Sequence, residues 1–311
     1  MRILLLAPNR RWKYNWGTHL FREELIRQHD VAVYGPGWNG VDRHNTKGLT
    51  TVHEIMSFFE FHNPDVIVTC GVGVSGYIGG LQSIKNIPKV ALICDYFPRN
   101  YKQQDNFLTS NHFDAAFVPY LHSMRRLRKL KPVPRTYWLP HGVDLGVYRN
   151  KKLRRRTDVC FICSYNSREY PNRPIVRNNI ASLKNLKRHL KKVKHGDYIE
   201  VLNRSKIAVA SSDRYKSFNL RMTEIPACGS MLLSDPFEGM VKLGYKPDEN
   251  FILYETVQQM KNKIQYFIDR PNELEVVAKK GERLVRRRHS NVVRVEKFAS
   301  IVKDCFKIKE D

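Results

Sequence analysis

Two periods run through this chain. Compact apolar runs of four or five residues, rich in Val, Ile and Leu, alternate with longer stretches in which apolar residues return every third or fourth position. The first pattern predicts strands buried on both faces, and the second predicts amphipathic helices. In the first half the strands fall at 3–7, 31–34, 66–69, 90–94, 115–119 and 136–139, with helices among them at 18–29, 51–62 and 121–130. Strands spaced by helices predict a parallel sheet covered on both sides.

The stretch 139–158, LPHGVDLGVYRNKKLRRRTD, interrupts this rhythm with Pro, Gly and a run of charge, and reads as a linker. The alternation then restarts. Strands are expected at 159–163, 207–210, 231–234 and 251–254, and helices at 173–194, 197–205, 220–228, 257–269 and 272–287, with a last helix at 292–306. The fold class is therefore α/β, with two Rossmann-like doubly wound parallel-sheet domains at 1–145 and 146–290 and a closing helix in 291–311. Ligands bind such sheets at the carboxyl ends of the strands, so two of them facing each other are expected to enclose a cleft.

Charge narrows the class of partner. The 311 residues carry 54 Lys and Arg against 30 Asp and Glu, a formal net charge of +24. A field of that sign attracts polyanions and anionic surfaces. Residues 121–131 (LHSMRRLRKLK) and 181–195 (ASLKNLKRHLKKVKH) are read as two basic helices, with Arg125, Arg126, Lys187, Arg188, Lys191 and Lys192 as an anionic-acceptor surface. The six cysteines are scattered, and Cys160 and Cys163 have no second pair at zinc spacing, so buried free thiols are expected. The apolar run at the N-terminus stops at Pro8 and two arginines, too short for a signal peptide, and no stretch reaches the length of a membrane span. A cytoplasmic location is expected, either in solution or docked on a membrane from one side.

The segment 216–236, KSFNLRMTEIPACGSMLLSDP, carries the chemistry. It runs from a loop into a short helix, then Gly229, then a strand. The amides of Phe218, Asn219 and Leu220 are expected at the helix start, where phosphate binds readily. Glu224, one turn in, is a carboxylate able to accept from two neighbouring ribose hydroxyls, or an acid answering the helix dipole.

The segment resembles the donor-binding motif of the large retaining GT-B glycosyltransferase group, E-x-F-G-L-x-x-x-E-A-x-A-x-G, through Phe218, Leu220, Glu224, Ala227 and Gly229. It is closer still to the spore-maturation CgeB-like branch, R-x-x-E-x-x-A-C-G-x-x-L-L-x-D, matched by Arg221, Glu224, Ala227, Cys228, Gly229, Leu232, Leu233 and Asp235. The resemblance implies a GT-B fold and transfer of a sugar from a nucleotide donor, a UDP-hexose such as UDP-glucose, with retention at the anomeric carbon. It departs from the motif at Lys216, in the place of the sugar-facing Glu, and at Asn219, in the place of Gly.

Further candidates surround this segment. In CSYNSREYPNR a polar, arginine-bearing loop follows a strand, and the resemblance gives Arg168, then Arg173, the part of stabilising the leaving diphosphate without a metal. No Asp-x-Asp occurs in the chain, so no cofactor or metal is expected. Asp95, at a strand's carboxyl end in ICDYFP, is a candidate for orienting or deprotonating the acceptor hydroxyl, or a turn cap. Gly17 and His19 stand before a helix in the first loop, Gly17 permitting close approach to a ligand and His19 completing the catalytic candidates. Gly71, Gly73 and Gly76 fit a GxGxxG spacing and read as cleft wall, with a Rossmann oxidoreductase as a minor alternative. His141 and Asp144 resemble an interdomain P-x-G-V-D, with a turn role preferred for Asp144.

Two classes remain open at this level. One is a metal-independent glycosyltransferase acting on an anionic acceptor, either DNA with modified bases or a membrane-linked glycan or lipid. The other is a non-catalytic polyanion-binding protein that kept the fold.

Overall fold

A computed structural model describes residues 1–8, 16–35, 51–70, 78–94, 96–131, 134–163 and 170–308. The chain forms two compact units, one of residues 1–140 with 294–311, the other of residues 141–293.

The first unit strings together β1 (Arg2–Leu6), α1 (Trp16–Gln28), β2 (Asp30–Tyr34), α2 (Val52–Phe58), β3 (Val66–Thr69), β4 (Lys89–Leu92), α3 (Tyr101–Ser110), β5 (Ala115–Val118), α4 (Leu121–Leu127) and β6 (Arg135–Trp138). The six strands are parallel, in the order β2-β1-β3-β4-β5-β6. Side chains alternate across the sheet. Leu4, Leu6, Ile67, Ala91, Ala116 and Val118 enter one core with Ile55, Phe107 and Leu127 from the helices. Ile3, Leu5, Val68, Val90 and Phe117 enter the other. That second face is covered in part by Val295, Phe298 and Val302 of the last helix, α10 (Asn291–Phe306). Because both faces are covered, the central strands contain almost no polar residue.

The second unit contains β7 (Thr157–Cys160), α5 (Asn172–Ala181), β8 (Arg188–His189), α6 (His195–Arg204), β9 (Ser205–Ala210), α7 (Arg221–Ala227), β10 (Met231–Ser234), β11 (Ile252–Leu253), α8 (Val257–Ile268) and α9 (Pro271–Arg288). Its five strands are parallel, in the order β11-β10-β9-β7-β8. Each unit is thus a doubly wound α/β sheet, as the alternation of periods predicts.

One element departs from expectation. The helix expected over 173–194 stops at Ala181, and the basic stretch after it is a turn, the two-residue strand β8 and a loop. Leu183, Leu186 and Leu190 pack against the core, and their spacing of three and four imitates a helix. Pairing overrides it. Lys187 N–H donates to Asp158 Oδ2 at 2.8 Å and Asp158 N–H donates to the Lys187 carbonyl at 2.8 Å, which draws the chain into an edge strand.

Helix α7 owes its length to two residues. Pro226 has no N–H to give the Met222 carbonyl one turn earlier. Tyr245 Oη fills the vacancy, donating to that buried oxygen at 2.7 Å. Gly229 follows at φ +73°, where a Cβ would stand 2.3 Å from Asn150 Nδ2. A glycine there ends the helix and lets the 150–155 segment pass close beneath it.

Candidate functional site

The site is built at the carboxyl ends of β7, β9 and β10 in the second unit. Beyond β9 the chain reads Ser211, Ser212, Asp213 and continues to Asn219. Asp213 Oδ1 accepts from the amides of Tyr215 (2.9 Å) and Ser217 (3.0 Å), which fixes the turn. Asp235, just past β10, accepts from the Ser212 amide at 2.8 Å and its hydroxyl at 3.0 Å, tying the two strand ends together. Burial raises the Asp235 carboxyl, and these donors oppose the shift. Asn219 bridges backward and forward: Nδ2 donates to the Ser211 carbonyl at 3.2 Å, and Oδ1 accepts from the Arg221 amide at 3.1 Å. The amides of Met222, Thr223 and Glu224 are met by the Asn219 and Leu220 carbonyls. The first-turn donors of this seven-residue helix therefore have partners already.

Glu224 stands at the centre, 7 % exposed. Tyr198 Oη, from α6, donates to its Oε2 at 2.9 Å. The Tyr148 hydroxyl binds the same carboxylate, and its ring meets that of Tyr198 edge-on with centroids 6.4 Å apart. Tyr148 is held by a turn in which Asp144 Oδ1 accepts from the amides of Gly146 (2.7 Å) and Val147 (3.0 Å). The preferred turn role of Asp144 is the one observed. Burial raises the Glu224 carboxyl above its ordinary range, against the pull of the Arg221 charge and the two phenols. Both phenols are themselves raised well above theirs, chiefly by burial and then by the Glu224 charge.

Cations stand beside this acid. Arg221 Nε donates to the Ile162 carbonyl, past the end of β7, at 2.7 Å. Burial works against the Arg221 charge, yet Tyr198 and Glu224 outweigh it and the guanidinium is held more firmly protonated. Arg173, in the first turn of α5, is 2 % exposed, with its guanidinium carbon over the Tyr170 ring, 3.2 Å from the ring centre. Burial, then the neighbouring Arg221 charge, lowers its pKa. Two guanidinium groups beside one largely buried carboxylate leave an excess of positive charge, and an anion is the natural complement.

The other sequence candidates are dispersed. The Phe218 side chain is a core residue, packed with Phe237, Tyr245 and His289, and offers a donor only its backbone. Leu220 is half-buried at the start of α7. Lys216 is exposed, with φ +54°, and its carbonyl accepts from the Glu238 amide at 2.6 Å. Gly17 lies in α1, and the His19 side chain, Asp95, Arg168, Gly71, Gly73 and Gly76 lie outside the described residues. Arg125 is exposed on α4, whereas Arg126 is committed within its own unit, donating to Asp105 Oδ2 at 2.7 Å and lying 4.2 Å over the Tyr101 ring. Lys187, Arg188, Lys191 and Lys192 are exposed, but on a turn, a strand and a loop, so they do not form one helix face. Cys160, Cys163 and Cys228 are buried free thiols, and among the described residues no group of His, Cys, Asp or Glu is gathered as metal ligands.

Sequence reasoning misses Tyr148, Tyr170 and Tyr198. Nothing along the chain marks them, because each reaches the site from a separate segment.

Known proteins now bear on this geometry. Residues 150–300 match a glycosyl transferase-like family model. HepE of Anabaena, solved with UDP-glucose, has a TM-score of 0.70 at 13 % identity, covering 98 % of this chain and 100 % of its own. Sucrose-phosphate synthase of Thermosynechococcus elongatus has a TM-score of 0.66 at 13 % identity, covering 99 % and 100 %. A glycosyltransferase of Rickettsia africae has a TM-score of 0.66 at 12 % identity, covering 99 % of each chain. No curated protein matches in sequence. The two parallel-sheet units are the fold of the GT-B glycosyltransferases. The match over residues 150–300 makes the second half of the chain a glycosyl transferase-like domain.

Proposed function

We propose that the chain moves a hexosyl group from a UDP-sugar, with UDP-glucose the first donor to test, to a hydroxyl of an anionic acceptor. The observation that carries the donor half is the buried cluster of Glu224, Arg221 and Arg173 at the carboxyl ends of the second sheet. In this reading Glu224 accepts from the ribose diol, and Arg221 and Arg173 face the diphosphate. The similarity to HepE, solved with UDP-glucose, supports the choice of nucleotide. The R-x-x-E and A-C-G-x-x-L-L-x-D pattern supports a CgeB-like branch within the fold.

When the glycosidic bond breaks, negative charge builds on the departing diphosphate. Fixed guanidinium groups among buried side chains would stabilise that charge with little reorganisation. Arg168, which falls between β7 and α5 in sequence, is assigned the same part. The reaction then requires no metal, and retention follows if the diphosphate itself takes the acceptor proton. The acceptor half rests on charge, and DNA with hydroxylated bases and a membrane-linked glycan or lipid are its two cases.

The test is a thermal-shift screen of nucleotide sugars on the wild type and Glu224→Gln. A cognate donor at ten times its Kd raises stability by about 1.4 kcal/mol, and Glu224→Gln abolishes that gain with the fold intact. Equal shifts in the two proteins overturn the donor site. Turnover lost in EDTA and restored by manganese overturns the metal-free mechanism.

A further inference from the structure

The positive charge of the second unit has a definite place. Pairing of Val159 with Arg188 and of Thr157 with Ser205 sets β7, β8 and β9 in register. The chain entering β7 and the chain entering β8 therefore lie at one end of the sheet, its amino end, fastened by the reciprocal Asp158–Lys187 hydrogen bonds. Lys152, Arg154, Arg156, Lys184 and Lys187 are all exposed on these two segments. The Glu224 cluster lies at the opposite, carboxyl end of the same sheet.

Ordinary structural roles do not account for these five. The neighbouring carboxylates have other ion-pair partners, Asp158 with Lys206 at 2.7 Å and Glu200 with Arg204 at 2.7 Å, although the Lys187 charge also bears on Asp158. Among the described residues none of the five forms an ion pair. Helices α5 and α6 both end here, and each carbonyl terminus is worth about half a negative charge. Arg188 already answers the first, donating to the Ala181 carbonyl at 2.6 Å, and Arg204 stands in the last turn of the second. Solubility is served by interspersed signs, whereas these two segments bring five exposed cations to one end of the sheet.

The surface also carries no apolar anchor. Leu153, Leu183 and Leu186 are half-buried, and the large exposed hydrophobic residues of this unit, Ile175, Val241, Tyr266, Val276 and Val292, belong to other segments. Docking on lipid pairs charge with apolar insertion. Lys and Arg without such an anchor suit a row of phosphodiesters.

We propose that the amino end of the second sheet is a phosphate-backbone surface that holds a nucleic-acid duplex, apart from the sugar-nucleotide site. It does not depend on the donor assignment.

The experiment measures binding of a fluorescent duplex of mixed sequence across a salt series. It compares the wild type with R154Q/R156Q/K184Q/K187Q and with a charge-matched control, K261Q/K280Q/R283Q/R287Q, on α8 and α9. The slope of log K against log salt falls by about 0.9 for each phosphate that the protein no longer neutralises. The first variant is expected to reduce the slope by about three to four and the control by about one or less, with unchanged thermal midpoints and an unchanged UDP shift. Equal reductions in the two variants mean attraction by net charge alone and overturn the proposal. So does a wild type that fails to bind duplex at about 100 mM salt, or one that binds phosphatidylserine vesicles through the same four residues and not the duplex.

Discussion

At the scale of single residues, the proposed donor site turns on Glu224, and its surroundings fix how that carboxyl responds to pH. Its carboxyl is raised by burial, so it takes up a proton above the ordinary glutamate value. Only the ionised form is a pure acceptor for a diol. Donor affinity is therefore expected to fall on acidification, starting above the ordinary value of 4.5, and titration calorimetry in a pH series checks this. The same series on Glu224→Gln should show no donor binding at any pH. Tyr198→Phe removes the 2.9 Å bond that holds the carboxylate in place. Donor affinity should drop about tenfold, equivalent to about 1.4 kcal/mol, in line with a hydrogen bond to a charged group. Because Tyr198 is assigned a positioning role, KM for the donor should rise while kcat at saturation holds. A fall in kcat alone contradicts that role.

Elements show where local pattern and tertiary context agree. The α7 segment was legible because its motif has physical causes: Asn219 joins the strand end to the helix, Asp235 clasps Ser212, and Gly229 makes the turn that no other residue makes without strain. Pro226 inside this helix is tolerated only because Tyr245 reaches the orphaned Met222 carbonyl. Tyr245→Phe leaves that buried oxygen without its donor and should cost about 1–3 kcal/mol, read as a lower urea midpoint with an unchanged slope. The 181–195 stretch shows the reverse. Its leucines keep a helical spacing, yet long-range pairing with Asp158 makes it a turn, a strand and a loop. A local window contains no sign of a partner about thirty residues away.

For the whole molecule, the net charge of +24 shows its meaning only after folding has distributed it. Lys187 goes to the amino end of the second sheet, while Lys191, Lys192 and Lys194 follow β8 toward the carboxyl end. K191Q/K192Q/K194Q should reduce transfer to an anionic acceptor several-fold at low salt and leave hydrolysis of the donor unchanged. Parallel assays of transfer and of free sugar release separate the two. A triple variant that transfers as well as the parent shows that this loop does not serve the acceptor. No helix among the described residues is long and apolar enough to cross a membrane.

The sequence by itself determined the two α/β sheets, the order of most of their strands and helices, and the segment that carries Glu224, Arg221 and Gly229. Those features rest on local periodicity and on residues whose backbone demands are met within a few positions. Only the tertiary structure decided that Phe218 is core, that Arg126 is tied to Asp105, and that Arg173 lies buried beside Arg221. It alone brought Tyr148 and Tyr198 onto one carboxylate. The reason is physical: a strand or helix is specified by its neighbours along the chain, whereas a buried charge takes its partners from elements that meet only when the sheet is assembled.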